Sequence, residues 1–384
     1  MKTKKYTIRR FINDVHLWLG VGSGIILLII CLSGTILTFE EEIKSVFAEE
    51  ITVSPTETKL AIEQLAQKLI SEGEVMRVSI SPEPTKPYEF SVKTNKNDRR
   101  GTTFFVDQYK GEYAKKPENP LDGFFMANFK LHRWLLLDIS IGRPIVGIST
   151  IIFLILSISG IVLWFPKKKL SKLKWKHLKP GFKIAWRGKW KRINHDLHVT
   201  LGFYTAIFLV IMSVTGLFWS FQWYRDAGSA VLGTEVFGGR GGGPKIESKI
   251  DLDKRSVDFT DILNITEREL PFEGTTVLQI PADEKEIFNI RKYHDQDFFK
   301  TAVDELKIDR DGSIIAKEIF SEKPLNEQIA SSIKSLHMGT IFGWFSKTIY
   351  FISCLIATSL PITGVIIWLK KLKDKKKKLA KKKA

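Results

Sequence analysis

Four long apolar blocks without charged residues constrain the fold of this chain more than any other feature. They cover residues 17–39, 144–165, 201–221 and 348–369. A helix of about 20 residues, rising about 1.5 Å per residue, crosses a hydrocarbon layer of roughly 30 Å, and each block is long enough to do so. We therefore predict four transmembrane helices instead of a soluble hydrophobic core.

The net charge of +17 is concentrated on one side of this four-helix topology. Residues 1–15, 166–195 and 370–384 carry net charges of +4, +12 and +9. Because Lys and Arg are enriched on the cytoplasmic side of membrane proteins, we predict cytoplasmic termini in a bacterial inner membrane. The lysine tail is interpreted as a topology determinant beside anionic lipid, and no nucleic-acid partner is expected.

Helix 1 follows basic residues, as the apolar region of a signal peptide does. Its apolar run is too long for such a region, however, and residues 39–43 offer no small-residue cleavage site. We therefore predict an uncleaved anchor. The only two cysteines, Cys31 and Cys354, fall within predicted helices, so no disulfide framework is expected outside the membrane.

The spacing of histidines and glycines indicates a tandem repeat. In one constant register, His16, Gly20 and Gly34 correspond to His198, Gly202 and Gly216. In a second register, Gly160 and Trp164 correspond to Gly364 and Trp368, and upstream of them His132 corresponds to His337 within one position. Each half then consists of a helix, an outside segment, a histidine and a second helix.

The outside segments also correspond, each with a helical pattern followed by alternating apolar runs. Helices are predicted over 58–71 and 259–270, and strands over 75–80, 88–92, 102–106, 276–280, 286–291 and 300–308. This pattern predicts two small α+β modules, each with one helix on a short antiparallel sheet. The glycine-rich residues 237–244 superficially satisfy a phosphate loop, but without a preceding strand they are interpreted as a flexible linker.

These features divide the chain into eight segments. They are the N-terminus with helix 1 (1–43), the first module (44–122), an interfacial segment with helix 2 (123–166), a basic loop (167–195), helix 3 (196–224), the linker with the second module (225–327), an interfacial segment with helix 4 (328–370) and the lysine tail (371–384).

Four histidines occupy matched positions. A lone histidine at a helix end is usually an anchoring or capping residue, but four in matched positions indicate a shared function. Helices 1 and 3 start inside, so His16 and His198 are predicted at the cytoplasmic edge, and His132 and His337 at the external edge. Ionisable groups near membrane spans tend to be functional, and imidazole is the common protein ligand of haem iron. Two such pairs would supply the axial ligands of two b-type haems.

His132 and His337 precede their apolar blocks by about ten residues, so a straight helix would carry them roughly 15 Å beyond the membrane. We predict that the segments fold back at Gly142–Pro144 and at Gly339–Gly343 as interfacial helices.

Several further residues are candidates at these sites. Gly34, Gly160, Gly216 and Gly364 are interpreted either as clearance for haem or as tight helix packing. Arg9, Arg10, Arg133 and Arg192 are candidate partners of haem propionates, with interface anchoring as the alternative. His195 is an alternative ligand without a counterpart in the first half, while His177 and His294 are predicted to be solvated surface residues.

This ordered set of motifs resembles the PepSY-associated transmembrane family, also called iron-regulated membrane proteins. The resemblance rests on residues 16–20, on the Ser/Thr-Gly-x-x-x-Trp helix ends at 159–164 and 363–368, and on the PepSY-like turn at 105–112. It implies a two-haem inner-membrane protein that carries electrons outward to a ferric siderophore or another ferric acceptor. The electron donor would be a separate molecule, because no flavin or nicotinamide domain is evident.

Two other classes of function remain open at this stage. In a regulator, the modules would bind peptides or a protease and the helices would serve as anchors, which leaves the histidine pattern unexplained. In a metal or haem transporter, the helix cores would be expected to contain charged residues, and these blocks contain none.

Overall fold

The computed structural model describes residues 6–95, 101–167, 174–237, 246–248, 250, 257–281, 283, 285–295, 299 and 302–383. The helices are α1 (Ile8–Leu37), α2 (Glu40–Val46), α3 (Ile62–Lys68), α4 (Asp122–Trp134), α5 (Ile139–Trp164), α6 (Trp175–Leu178), α7 (Trp190–Asp196), α8 (Gly202–Ser220), α9 (Gln222–Leu232), α10 (Phe259–Glu269), α11 (Leu325–Met338) and α12 (Gly343–Lys383). The strands are β1 (Glu74–Ile80), β2 (Tyr88–Lys93), β3 (Thr102–Val106), β4 (Tyr113–Lys115), β5 (Thr276–Gln279), β6 (Phe288–Tyr293), β7 (Val303–Ile308) and β8 (Ile314–Glu318).

Among the described residues, four helical spans are long and apolar enough to cross a membrane, as the sequence predicts. They are Ile8–Leu37, Ile139–Trp164, Trp190–Ser220 and Gly343–Ala380. The third joins α7 to α8 through a π-helical turn, Leu197–Leu201. The chain therefore has the character of a membrane protein.

The spanning helices pack as a four-membered bundle. α1 packs against α5 and α12, and α8 packs against the same two helices. Neighbours run antiparallel, because His16 near the start of α1 contacts Ser159 near the end of α5. Trp164 of α5 stacks on Phe203 of α8, with ring centres 3.7 Å apart. This arrangement brings the ends of different helices together on each side of the bundle.

The strands that the structure describes outside the bundle form one antiparallel sheet of eight strands, not two separate sheets. Its order is β4-β3-β2-β1-β5-β6-β7-β8. Val78 of β1 lies opposite Leu278 of β5, and both side chains are fully buried. Pairing β1 with β5 covers the edge that each half would otherwise expose. Residues 238–244 and 300–301 of the predicted linker and strand lie outside the described residues.

Each half of the sheet has its own helix. Leu65 of α3 and Leu69 just after it pack against the apolar face of β1–β3, and Ile262 of α10 packs against that of β5–β7. Phe259 contacts both cores, so they are continuous. The predicted helices and strands are present, whereas β4 and β8 were not predicted; they are short and largely exposed.

The turn before the second spanning helix does not lie at Gly142–Pro144 as predicted. The chain turns at Leu135 and Leu136, which have positive φ values of 57° and 58°, and α5 runs through Pro144. A Cβ at Gly142 would clash with the carbonyl oxygen of Trp134, so this glycine permits close packing against the end of α4. In the second half the turn does lie at Gly339–Gly343, where both glycines have positive φ.

Candidate cofactor-binding histidine pairs

The four repeated histidines form two pairs, and each pair combines one residue from each half of the chain. The ring centres of His16 and His198 are 6.3 Å apart, and those of His132 and His337 are 6.5 Å apart. His16 lies on α1 and His198 in the π-helical turn, whereas His132 and His337 lie on α4 and α11 beside the bundle. These are the pairs that helix direction predicts.

Each imidazole is oriented by a hydroxyl group of a neighbouring spanning helix. The Nδ1 atom of His16 lies 2.8 Å from Ser159 Oγ, and that of His198 lies 2.9 Å from Thr363 Oγ1. The corresponding distances are 3.2 Å from His132 to Ser33 and 3.2 Å from His337 to Thr215. All four hydroxyl groups immediately precede a glycine in the sequence.

A backbone carbonyl accompanies each hydroxyl group, three positions before it. His132 Nδ1 donates to Ile30 O at 2.9 Å and His337 Nδ1 donates to Met212 O at 3.0 Å. At His16 and His198 the corresponding carbonyls are those of Leu156 and Leu360, which accept from the hydroxyl groups of Ser159 and Thr363.

These acceptors determine the tautomer of the imidazoles. A carbonyl oxygen only accepts hydrogen bonds, and each hydroxyl group also approaches a carbonyl of its own helix, to which it donates its proton. Nδ1 must therefore carry the hydrogen on each ring. In a neutral imidazole this leaves the lone pair on Nε2, the nitrogen available to bind a metal.

The separation within each pair fits one metal ion between two Nε2 atoms. A metal–nitrogen bond is about 2 Å long, and with a ring centre about 1 Å behind each nitrogen the ring centres would be about 6 Å apart. The observed separations of 6.3 Å and 6.5 Å match this value. Each pair could therefore supply the two axial ligands of one metal centre.

Burial favours the neutral form of the imidazoles on α4 and α11. Desolvation lowers the pKa of His132, and it lowers the pKa of His337 to about 4. A neutral imidazole is the form that ligates metals.

The number of available protein ligands limits which type of metal centre each pair can hold. Among the described residues, no group of three or more His, Cys, Asp or Glu side chains is arranged around a potential metal site. A structural zinc ion takes about four protein ligands, whereas haem requires only the axial ones. Two imidazoles without further ligands therefore fit haem better than a bare ion.

The four predicted glycines lie against these rings. A Cβ at Gly34 would be 3.0 Å from Cε1 of His132, and one at Gly216 would be 3.0 Å from Cε1 of His337. The corresponding distances are 3.6 Å from Gly160 to His16 and 3.2 Å from Gly364 to His198. Each glycine thus makes room for an imidazole.

Two asparagines belong to the same constellation and were missed by the sequence analysis. Asn194 Nδ2 donates to Thr363 O at 3.1 Å, and Asn128 Nδ2 donates to Ser33 O at 3.0 Å. Each lies one helical turn before its histidine, and Ser33 and Thr363 also accept from that histidine. The signals that could have revealed these residues are the repeated Asn-x-x-x-His spacing and the four Ser/Thr-Gly pairs.

The candidate arginines have other contacts. Arg9 donates to the carbonyls of Leu163 and Phe165 at 2.6 Å and 2.7 Å, so it caps the end of α5. Arg192 pairs with Asp196 at 2.8 Å. Arg10 lies over the ring of Tyr6, and Arg133 over the rings of Phe129 and Trp134. Their pairing with propionates remains a prediction.

The other three histidines lie apart from the pairs. His195 is 53% exposed and lies 3.4 Å from Asp196. His177 Nδ1 accepts the backbone N–H of Lys174 in the first turn of α6. His294 is not a solvated residue as predicted, because its ring stacks on Phe272 and its Nε2 lies 3.1 Å from Asp304.

Comparison with known proteins places the whole architecture in one family. No curated protein matches the chain. The family model described as the PepSY-associated TM region matches residues 14–371, which include the apolar blocks of all four spanning helices, both histidine pairs and the sheet. The chain therefore belongs to the PepSY-associated transmembrane family.

Proposed function

We propose that this protein is a two-haem transmembrane electron carrier that reduces a ferric acceptor outside the cytoplasmic membrane. The observation that carries this proposal is the pair of imidazole separations, 6.3 Å and 6.5 Å, with Nδ1 already hydrogen-bonded on every ring. His16 and His198 would hold one haem b, and His132 and His337 would hold the second. When bound, the haem iron supplies a reversible one-electron couple.

The protein positions the two sites at opposite ends of the bundle. His132 contacts Gly34, which lies near the end of α1, whereas His16 lies near the start of the same helix. At about 1.5 Å per residue, the distance from His16 to Gly34 along the helix axis is roughly 27 Å, close to the thickness of the hydrocarbon layer. The basic segments favour a cytoplasmic location for the His16–His198 end.

The surrounding residues would hold the four imidazoles in the orientation and tautomer that can bind iron. The Ser/Thr hydroxyls and helix carbonyls accept from Nδ1, which makes the imidazole a stronger ligand and fixes its orientation. The glycines avoid a clash with the ring. α3 with β1–β4 and α10 with β5–β8 are interpreted as two PepSY-like modules of a tandem repeat, and they would face the acceptor.

A ferric siderophore is the acceptor class that the family resemblance favours. Fe(III) is a hard ion that siderophore oxygens bind tightly, and reduction to Fe(II) weakens that binding. The overall change would be one electron transferred to each Fe(III), with release of Fe(II) from its ligands.

The test is a haem count on the purified protein in lipid nanodiscs. We expect two haems per chain, low-spin reduced-minus-oxidised spectra, and reoxidation of the reduced protein by a ferric hydroxamate with Fe(II) captured by a chelator. His177→Ala, outside both pairs, serves as the control and should retain both haems. A protein without haem would refute this proposal and favour a PepSY-based regulator that binds peptides or a protease.

A further inference from the structure

The basic loop between α5 and α8 packs on the ends of these two spanning helices. Trp164 Nε1, at the end of α5, donates to Gly181 O at 3.1 Å, and the Tyr204 hydroxyl group, in the first turn of α8, donates to Phe182 O at 2.8 Å. Tyr204 belongs to the apolar block 201–221. The loop is therefore held at the boundary of the hydrocarbon layer, on the side of the molecule predicted to be cytoplasmic.

Three tryptophans of this loop are exposed at the same boundary. Trp175, Trp186 and Trp190 are 66%, 67% and 60% exposed. The ring of Trp175 lies 5.5 Å from that of Phe182, and the ring of Trp190 lies 5.9 Å from the ammonium group of Lys370, the first residue after the fourth apolar block. Tryptophan is enriched at membrane–water interfaces, where its ring lies at the level of the headgroups. The loop therefore presents three indole rings at the depth of lipid headgroups.

The same segment is strongly basic. Residues 174–192 contain eight Lys and Arg and no Asp or Glu. All eight cationic side chains are exposed: Lys174, Lys176, Lys179, Lys183, Arg187, Lys189, Lys191 and Arg192. Within the described part of the chain, two of them form ion pairs, Lys191 with Asp374 at 2.6 Å and Arg192 with Asp196 at 2.8 Å. The other six cations can therefore bind an external anion.

We propose that residues 174–192 form a binding site for anionic phospholipid of the adjoining leaflet, with the lipid phosphates on the exposed lysines and the lipid chains beside the tryptophan rings. Ammonium groups are common phosphate ligands in proteins, and basic segments next to a membrane are attracted to anionic leaflets. The inference goes beyond the proposed function and does not depend on bound haem.

Depth favours lipid over an acidic soluble partner at this loop. The lysine tail is equally basic, but α12 continues through it without a break to Lys383. At about 1.5 Å per residue, residues 375–378 lie roughly 10 Å beyond the end of the fourth apolar block. The tail also contains no tryptophan. The loop, in contrast, combines cations and indole rings at the level of the headgroups.

Lipid at this site would also support the end of the bundle that contains His198. Asp196 Oδ2 accepts the backbone N–H of Ala185 at 3.2 Å and Nε–H of Arg192 at 2.8 Å, and its side chain is buried. Asp196 directly precedes the π-helical turn that contains His198. A lipid that holds the loop in place should therefore raise the thermal stability of the protein.

Two matched variants separate the loop from the tail, because each removes four positive charges. The loop variant combines Lys174→Ala, Lys176→Ala, Lys179→Ala and Lys183→Ala, and the tail variant combines Lys375→Ala, Lys376→Ala, Lys377→Ala and Lys378→Ala. If the loop variant does not fold, the double variant Lys176→Ala with Lys179→Ala replaces it.

The experiment measures tryptophan fluorescence of the full-length protein in nanodiscs of equal parts phosphatidylcholine and phosphatidylglycerol. One of the two lipids carries bromine on its acyl chains, which quenches tryptophan at short range. Brominated phosphatidylglycerol should quench the wild-type protein about twofold more than brominated phosphatidylcholine. The tail variant should keep this excess and the loop variant should lose it.

Two further measurements locate and distinguish the ligand. The excess quenching should disappear in the variant that combines Trp175→Phe, Trp186→Phe and Trp190→Phe, because its signal comes from the loop. The melting temperature should be higher in phosphatidylglycerol than in phosphatidylcholine for the wild type and the tail variant, but not for the loop variant. Inorganic phosphate should not reduce the excess quenching, because the bound phosphate belongs to the lipid.

Four results would overturn the inference. Equal quenching of the wild type by both brominated lipids would show that the loop does not select anionic lipid. Loop tryptophans that neither lipid quenches would face water and favour an acidic soluble partner. An equal loss in the tail variant would show that only total charge matters, and displacement by inorganic phosphate would indicate a site for the free anion. None of these measurements requires haem, so their failure would leave the proposed function standing.

Discussion

The two histidine pairs contain the same groups but are supported differently. His16 and His198 belong to spanning segments, so the packing of the bundle itself sets their separation. His132 and His337 lie on α4 and α11, which dock against the bundle through the carbonyls of Ile30 and Met212. One site is therefore intrinsic to the membrane helices, and the other is assembled by docking two additional helices onto them.

Ion pairs support the docked site. Lys44 of α2 lies 3.0 Å from Asp122 at the start of α4. Lys347 near the start of α12 is 7% exposed and contacts both carboxylate oxygens of Glu42. These contacts tie α4 and α12 to α2, the short helix that follows α1. Mutations outside the bundle should consequently affect the His132–His337 pair more than the His16–His198 pair.

The ring planes also differ. The imidazoles of His16 and His198 are perpendicular, at 90°, whereas those of His132 and His337 are inclined at 50°. Trp219 lies beside His337, with ring centres 5.3 Å apart. Two centres with different ligand orientations should give separable spectra, which makes the comparison experimentally accessible.

Removing a ligand from one pair should have the largest effect. His132→Ala or His337→Ala should empty the docked site or convert it to high spin, because one imidazole holds the iron more weakly than two. The His16–His198 site should keep its haem. Electrons would then no longer pass efficiently to an external ferric acceptor, because the gap between carriers widens.

The reciprocal variants test the pairing. His16→Ala and His198→Ala should spare the docked site and block its reduction by a cytoplasmic donor. Haem extraction and low-temperature spectra of all four variants measure this directly. If His132→Ala and His16→Ala emptied the same site, the ligands would pair within one half of the chain and the proposed architecture would be wrong.

The sequence was sufficient to predict the spans and the grouping of the histidines. A charge-free apolar block of this length is compatible with few structures other than a membrane-spanning helix. Helix direction alone then places His16 with His198 and His132 with His337. The β1–β5 pairing was not predicted, because strands from opposite halves of the chain leave no local signal of their partner. The turn at Leu135 and Leu136 was missed because leucine rarely adopts positive φ, and tertiary packing overrides this preference.

The orienting residues were harder to predict for a different reason. Ser and Thr are common in membrane helices, where they often bond only to their own backbone, as Ser23 does to Leu19 O. The roles of Ser159 and Thr363 depend on the packing of α1 and α7–α8 against α5 and α12, which brings their hydroxyl groups to the imidazoles. Asn194 directly precedes His195, and a histidine beside a predicted span is the stronger sequence signal for a metal ligand.

The hydroxyl groups should be more important at the intrinsic pair. Ser159 and Thr363 lie 2.8 Å and 2.9 Å from Nδ1, whereas at the docked pair the carbonyls are closer than the hydroxyls at 3.2 Å. Ser159→Ala or Thr363→Val should reduce haem affinity about 10- to 100-fold, as for other residues that orient metal ligands. Ser33→Ala should have a smaller effect, and haem transfer to an apoprotein acceptor measures both. If Ser33→Ala reduced haem affinity as much as Ser159→Ala does, the hydroxyl groups would be equally important at both pairs.

Alanine at the contact glycines should separate the pairs further. The added methyl would lie 3.0 Å from His132 Cε1 in Gly34→Ala but 3.6 Å from His16 Cε1 in Gly160→Ala. Overpacking typically costs about 1–3 kcal/mol, and alanine in a helix recovers about 1 kcal/mol relative to glycine. Gly34→Ala should therefore lower the melting temperature and the low-spin fraction, while Gly160→Ala should be nearly neutral. A destabilised Gly160→Ala would indicate that the 3.6 Å gap is already needed by the ring.

The smallest effect is expected at His195, the first of the two histidines in residues 194–198. Its side chain is 53% exposed, and its ring contacts Asp196 instead of a hydroxyl group of a neighbouring helix. The position corresponds to Asn13 in the first half, and an asparagine amide is a weaker metal ligand than an imidazole. His195→Ala should retain both haems with unchanged spectra, because neither the His16–His198 separation nor the hydrogen bond of His198 to Thr363 depends on it. Haem counting on His195→Ala and His198→Ala side by side is the appropriate measurement. If His195→Ala lost the haem and His198→Ala kept it, His195 on α7 would be the ligand, and the repeat would have assigned the wrong histidine.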